Sequence, residues 1–189
     1  MEVNLFEVFM LAFLFLAIAV AVRFLPHTFH FTPVGAALLF FGAKQQRKWM
    51  WLPVAAFIGS DIALDVFVYH YPVGWETVAS ASWYVMAVLI GGLLKKDGSK
   101  FKLGHIAGAS LAGSVSFFII SNFATWLAYN MYPHSLAGLG ACYVAAIPFF
   151  TPTLSSDILY AIAFFGAPHL IEAVKKQMSE MGGDDIAAA

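Results

Sequence analysis

Apolar residues occur along the chain in six runs, and most polar residues lie between the runs. A helix needs about 20 apolar residues to cross the hydrocarbon layer of a membrane, with a range of about 17–25. The pattern therefore predicts six transmembrane helices: Leu5–Leu25, Thr32–Ala43, Trp49–Tyr69, Thr77–Leu94, Leu103–Tyr129 and Thr151–Ala173. The second run is short for a full span. Between the fifth and sixth runs, over Pro133–Phe150, we expect a loop with a short interfacial helix.

The composition supports an integral membrane protein. Of the 189 residues, 61% are hydrophobic and 11% are charged, whereas a soluble domain is about 25% charged. The mean hydropathy is +0.79. The formal net charge of -1 argues against a nucleic-acid partner. Because the composition is so hydrophobic, membrane lipid is the expected environment. Cys142 is the single cysteine, which excludes an intramolecular disulfide and a multi-cysteine metal site.

We expect one compact transmembrane helical domain over residues 1–181, followed by a short disordered tail over residues 182–189. The first apolar run is as long as the core of a signal peptide. However, Glu2 and Glu7 stand where a signal peptide carries basic residues, and bulky residues follow Arg23. The run is therefore interpreted as a retained helix.

The positions of the basic residues predict the orientation in the membrane, because short cytoplasmic loops are enriched in Lys and Arg. Six spans with a cytoplasmic N-terminus place nine of the ten basic residues inside: Lys44, Arg47, Lys48, Lys95, Lys96, Lys100, Lys102, Lys175 and Lys176. Arg23 alone lies toward the outside. Both termini are therefore expected in the cytoplasm.

Several polar residues fall in the outer half of the predicted spans. They are Arg23, Asp61, Asp65, Asn122, Asp157 and Tyr160. A charged group at the centre of a transmembrane helix costs roughly 2.5–3.5 kcal/mol on insertion scales, so these side chains are expected to converge. Asp61 and Asp65 share one helix face because they are four residues apart. One interpretation is an outward-facing ligand pocket, whose excess of carboxylates favours a cationic or hydrogen-bond-donating ligand or a metal ion.

Other interpretations of the same residues stay open. Arg23 can pair with an aspartate while the remaining polar groups lock the helices together, as in a structural or accessory subunit of a larger membrane complex. A membrane enzyme with Asp61 and Asp157 as acid and base is less favoured, and so is a proton-coupled carrier that acts alone. The sequence contains no nucleophile elbow and no P-loop. We therefore expect neither an enzyme nor a cofactor.

Two weaker patterns add candidate sites. His27 and His30, which are three residues apart near the predicted pocket, are candidate metal ligands with the aspartates, although two interfacial histidines are the simpler explanation. Ala17 and Ala21 form an Ala-x-x-x-Ala spacing on the first helix. Such spacing permits close packing, either within the bundle or against a partner.

The chain resembles a known group of proteins in two ways. Arg23–Ala43 and Ser121–Tyr160 are similar to an uncharacterised bacterial membrane-protein family related to the substrate-binding S components of energy-coupling factor (ECF) transporters. The six spans, the alanine stripe and the outward polar pocket also resemble an S component. This resemblance implies an ECF S-component-like fold in a bacterial inner (plasma) membrane, and capture of a vitamin, a precursor or a metal ion. It further implies a membrane T component that contacts Ala17 and Ala21, together with cytosolic ATPases.

Overall fold

The computed structural model describes residues 5–25, 31–70, 72–94 and 103–187, and it describes the backbone alone for Leu5 and for residues 182–187. Six helices make up the fold: α1 (Leu5–Val22), α2 (Val34–Lys44), α3 (Trp51–Ala63), α4 (Trp75–Leu93), α5 (Leu103–Ala128) and α6 (Leu136–Ala187). A 3-10 turn over Arg47–Trp49 precedes α3, and a π-helical segment over Leu64–Tyr69 continues it.

The fold is all-α, as the apolar pattern predicts, and the part of the chain that the structure describes contains no strand. Four helical stretches are long and apolar enough to cross a membrane: Arg47–Tyr69, Trp75–Leu93, Leu103–Ala128 and Leu136–Met181. The apolar helices Phe6–Val22 and Val34–Lys44 are shorter. The protein is therefore a multi-pass membrane protein. The division of the chain at residue 181 stays a prediction.

Consecutive helices run antiparallel. The ring of Phe13 in α1 lies 5.4 Å from that of Phe41 in α2, and Gln45, after α2, donates a hydrogen bond to the carbonyl of Phe9. At the end of the bundle where α1 begins, Glu7 forms an ion pair with Lys175 of α6. We call this the Glu7 end of the bundle, and the opposite end, where α1 stops, the Arg23 end.

The short helix α2 is the centre of the core. Every residue from Val34 to Ala43 is buried, because α1, α4, α5 and α6 all pack around it. Phe40 contacts Phe15 of α1 and Phe165 of α6 through edge-to-face ring pairs. At about 1.5 Å per residue, α2 is only about 16 Å long. It therefore fills the Glu7 half of the bundle, and no described helix takes a central position in the Arg23 half.

Two glycines allow α2 and α4 to touch along their backbones. A Cβ atom on Gly42 of α2 would collide with the carbonyl of Val88, and one on Gly91 of α4 would collide with the backbone of Leu39. Neither obstacle is a flexible side-chain end that can turn away. Glycine is therefore required at both positions for this packing.

The expected loop and short interfacial helix over Pro133–Phe150 were wrong. Instead, α6 begins at Leu136 and runs without interruption past Pro148, Pro152 and Pro168. Contacts with α5 hold this amino-terminal part, since Tyr143 donates to the carbonyl of Ile119 at 2.9 Å. Within α6, the hydroxyl of Thr153 donates to the carbonyl of Phe149, one turn earlier, at 2.9 Å. Tertiary packing thus overrides the helix-breaking tendency of proline.

The glycine contacts lead to a stability prediction. Gly91→Ala is expected to lower the free energy of unfolding by about 1–3 kcal/mol, because overpacking a tight interface costs that much. The matched control is Gly108→Ala in α5, where no atom lies near the new methyl group. It is expected to be neutral or stabilising by up to about 1 kcal/mol. Unfolding of the purified protein in detergent measures both, and an equal loss in the two variants would contradict the close contact of α2 with α4.

Candidate functional site

A cavity of about 630 Å³ opens at the Arg23 end of the bundle. It exists because α1 ends and α2 begins at this level. The π-helical segment after α3 and the helices α4, α5 and α6 extend further. Its floor and walls include Arg23, Gly35, Asp61, Asp65, Ser80, Trp83, Tyr84, Phe117, Thr153, Ser156 and Asp157. We call it the Arg23 cavity. It brings together residues from both ends of the sequence.

Arg23 follows the last residue of α1 and reaches across to α3 and α4. Its guanidinium forms an ion pair with Asp61 and donates to the hydroxyls of Ser60 at 2.7 Å and Tyr84 at 3.3 Å. It also lies 5.8 Å from the ring centroid of Phe57. The side chains of Arg23 and Asp61 are only 16% and 11% exposed. Arg23 therefore joins three helices at the wall of the cavity.

Both carboxylate oxygens of Asp61 have protein donors. Arg23 donates to one oxygen, and the hydroxyl of Tyr84 donates to the other at 2.9 Å. Tyr84 accepts from Arg23 and donates to Asp61, so one hydroxyl links the two charges. A buried ion pair is stable when further hydrogen bonds satisfy its partners, and this pair meets that condition.

Asp65 lies one turn after Asp61, within the π-helical segment Leu64–Tyr69 that ends α3. It is partly buried and lines the same cavity. His70 ends the segment in a left-handed conformation, with φ of 57°. The helix thus stops abruptly just beyond the cavity. Segments of π-helix often mark functional sites.

Asp157 of α6 lies at the floor of the cavity and is 3% exposed. The hydroxyl of Ser114 in α5 donates to it at 2.7 Å. On the opposite side the carboxyl lies against Gly35, where a Cβ atom would collide with it. Gly35 belongs to the first turn of α2, whose partial positive charge stabilises an anion. Within the described ranges, no cation pairs with Asp157.

Part of the apolar wall of the cavity is aromatic. The rest is formed by aliphatic residues, such as Val34, Leu64 and Val68. Trp83 donates its indole N–H to the carbonyl of Gly113 at 3.0 Å, so the polar atom of the ring is already engaged. The centroid of its ring lies 4.8 Å from the ring centroid of Phe117 and 5.5 Å from that of Tyr84. The three side chains line the same cavity as the carboxylates, although Trp83 and Tyr84 are themselves buried.

The structure brings together four of the six predicted ligand-binding residues: Arg23, Asp61, Asp65 and Asp157. Asn122 instead lines a neighbouring cavity of about 220 Å³, and its amide donates to the carbonyl of Phe118 at 2.8 Å. Tyr160 packs its ring 5.7 Å from Phe31 and does not line the Arg23 cavity. The two cavities share Phe117 and Thr153 as common walls.

The two weaker sequence patterns have different outcomes. His27 and His30 lie outside the described residues. In the ranges that are described, no three His, Cys, Asp or Glu side chains cluster as metal ligands. Ala17 and Ala21 lie on the outer, exposed face of α1, beside Leu14 and Ile18.

Sequence reasoning missed the residues that complete the site, chiefly Gly35, Trp83, Tyr84 and Ser114. The predicted fourth span contains Trp83 and Tyr84 in an apolar setting, where aromatic residues normally serve packing alone. Two aromatic side chains with polar groups near the middle of a predicted span were the available signal. No signal in the sequence marked Gly35 or Ser114, because small residues are frequent in membrane helices.

One family model matches residues 4–180 of the chain, and it is described as a family of unknown function (DUF6580). The match covers nearly the whole chain, so the protein belongs to this family. No curated protein and no solved structure matches the chain.

The ion pair leads to a second stability prediction. Asp61→Asn is expected to lower the free energy of unfolding by about 3 kcal/mol, because it leaves the Arg23 charge buried without its partner. The matched control is Glu7→Gln, which removes the more exposed ion pair with Lys175. It is expected to cost about 1 kcal/mol or less.

A double-mutant cycle that combines Asp61→Asn with Arg23→Met measures the interaction energy between the two side chains. The double variant should lose less stability than the two single variants together, since neither charge is then left unpaired. Strict additivity, or an Asp61→Asn loss no larger than that of Glu7→Gln, would contradict the assigned pair.

Proposed function

We propose that this protein is a solute-binding subunit of a membrane uptake system, and that the solute binds in the Arg23 cavity. The observation that supports this proposal is the cavity itself, which is lined by Arg23, Asp61, Asp65 and Asp157. Pockets of about 300–1,000 Å³ with a few polar groups on a mainly apolar wall are typical of small-molecule sites. The volume of about 630 Å³ falls in this range.

The distribution of basic residues supports an outward opening. Lys44, Arg47 and Lys48 lie at the Glu7 end, because Gln45 bonds to Phe9 of α1. Lys175 reaches the same end through its ion pair with Glu7. By the positive-inside rule this end faces the cytoplasm, and the cavity then faces the outside of a bacterial inner membrane. Lys95, Lys96, Lys100 and Lys102 are outside the described residues.

In this proposal the solute replaces water against the polar wall. Arg23 and Asp61 hold the wall in place, and Asp65 and Asp157 offer acceptor oxygens to a cationic or hydrogen-bond-donating solute. A metal ion is the other candidate, with His27 and His30 as possible additional ligands. The protein performs no chemical reaction on the solute. The engagement of both Asp61 oxygens by Arg23 and Tyr84 weighs against an acid–base pair of Asp61 with Asp157.

Energy coupling is assigned to partner proteins, since the chain has no P-loop. The resemblance to ECF S components suggests a membrane T component with cytosolic ATPases. The exposed face of α1 supports this assignment, because Ala17 and Ala21 leave room for a second helix to approach closely. Another membrane complex is a possible partner of the same face.

A structural or accessory subunit is the second candidate function. The observation in its favour is the internal pairing of Arg23 with Asp61 and Tyr84, which joins α1, α3 and α4. In that case the polar residues serve packing and no solute binds. The two candidates differ in whether the Arg23 cavity has a ligand.

The orientation is tested by cysteine labelling in a Cys142→Ser background. Val73→Cys places a thiol on an exposed position at the Arg23 end, and Glu180→Cys places one at the other end. A membrane-impermeant maleimide should label the first variant in intact cells and the second only after permeabilisation. The reverse pattern would contradict an outward-facing cavity.

Solute binding is tested by a thermal-shift screen of the purified protein against vitamins, their precursors and divalent metals. A ligand at 100 times its Kd should stabilise the protein by about 2.7 kcal/mol. Asp157→Asn should abolish the shift. Glu172→Gln, a carboxylate of α6 outside the cavity, should retain it. If no compound stabilises the wild-type protein across a broad library, the structural subunit becomes the better assignment.

A further inference from the structure

Resting on the proposed function, we infer that the solute is an organic monocation with an apolar body, whose ammonium group binds Asp157. The inference names a substrate class for the Arg23 cavity. Three features of the cavity carry it: the balance of charge, the setting of Asp157 and the aromatic wall.

The first feature is the balance of charge. Arg23 is the one basic residue among the described lining residues, and its charge is already paired with Asp61. Asp65 and Asp157 remain, so the described lining holds two carboxyl groups for which it offers no cation. Anionic solutes would meet two carboxylates and no available cation. The cavity therefore selects against carboxylates and phosphates and for positive charge.

The second feature is the setting of Asp157. Its carboxyl is almost fully buried, accepts from Ser114, and lies against the first turn of α2 at Gly35. The hydroxyl of Ser114 and the first turn of α2 favour the ionised form of Asp157, whereas burial disfavours it, and among the described residues no neighbour supplies a full positive charge. Charged side chains within membrane helices are almost always paired. An ammonium group that enters through the cavity supplies such a partner.

The aromatic wall distinguishes an organic ammonium from a metal ion. Trp83, Tyr84 and Phe117 line the cavity together with the carboxylates, and ammonium groups gain energy over aromatic rings. Ca²⁺ and Mg²⁺ instead need a shell of six or more oxygen ligands. The described lining supplies two carboxylates outside the Arg23 ion pair, together with hydroxyls such as those of Ser80 and Thr153. The lining suits an amine with an apolar body better than a bare cation.

The experiment uses matched sets of compounds that share one apolar skeleton and differ in a single group: amine, alcohol or carboxylate. Aryl-ethyl and alkyl skeletons of increasing length serve as probes in a thermal-shift and calorimetric binding screen of the full chain. We expect amines to bind, with at least tenfold lower affinity for the alcohols and no binding of the carboxylates.

Variants then test whether the ammonium group of the probe binds at Asp157. Asp157→Asn should weaken amine binding at least tenfold, and Glu172→Gln should leave it unchanged. Trp83→Phe keeps an aromatic ring and should weaken binding only a few-fold. If Asp157→Asn fails to fold, the comparison of amine, alcohol and carboxylate on the wild-type protein still decides the question.

The outcomes separate this inference from the proposed function. A neutral or anionic solute that binds equally well to wild type and Asp157→Asn overturns the inference and leaves the proposed function standing. Stabilisation by Na⁺ or by acid alone, lost in Asp157→Asn, overturns it in favour of an ion site. The absence of any stabilising solute overturns the proposed function together with the inference.

Discussion

The packing of α2 on all sides is the constraint on which the rest of the structure depends. Ten of its eleven residues are buried among α1, α4, α5 and α6, and the glycine contacts with α4 make that enclosure tight. Because α2 is so short, its enclosure fills only one half of the bundle. The space beyond its first residue, Val34, becomes the Arg23 cavity. The core and the cavity thus have a single cause.

The charges follow from the same arrangement. Arg23 stands where α1 ends, at the level of Asp61 and Tyr84, and the three side chains satisfy one another. Asp157 stands where α2 begins and has a hydroxyl and a helix end as neighbours. Asp61 is paired with a cation, whereas within the described residues Asp157 has only the hydroxyl of Ser114 as a hydrogen-bond partner. Under the proposed function, this difference separates the supporting wall from the binding surface.

The long helix α6 connects the two ends of the bundle. Its amino-terminal part packs on α5 beside the cavities, Asp157 lies further along it, and Lys175 pairs with Glu7 at the other end. A ligand at Asp157 would therefore contact the same helix that reaches the opposite end. The exposed face of α1, with Ala17 and Ala21, lies on the outside of this framework.

The sequence by itself determined the membrane setting, the all-α class and the positions of the first five helices, but not the start of the sixth. Long apolar runs have no stable arrangement in water, and backbone groups in lipid must be satisfied within each helix. The cost of charge in the membrane also indicated that Arg23, Asp61, Asp65 and Asp157 converge. Tertiary structure alone decided which aspartate pairs with Arg23, because that choice depends on the ends of α1 and α2 and on the hydroxyl of Tyr84. It also decided that Asn122 and Tyr160 lie apart from the cavity, and that the prolines of α6 do not break it. These outcomes depend on distances between segments far apart in the chain, which periodicity along a single segment does not contain.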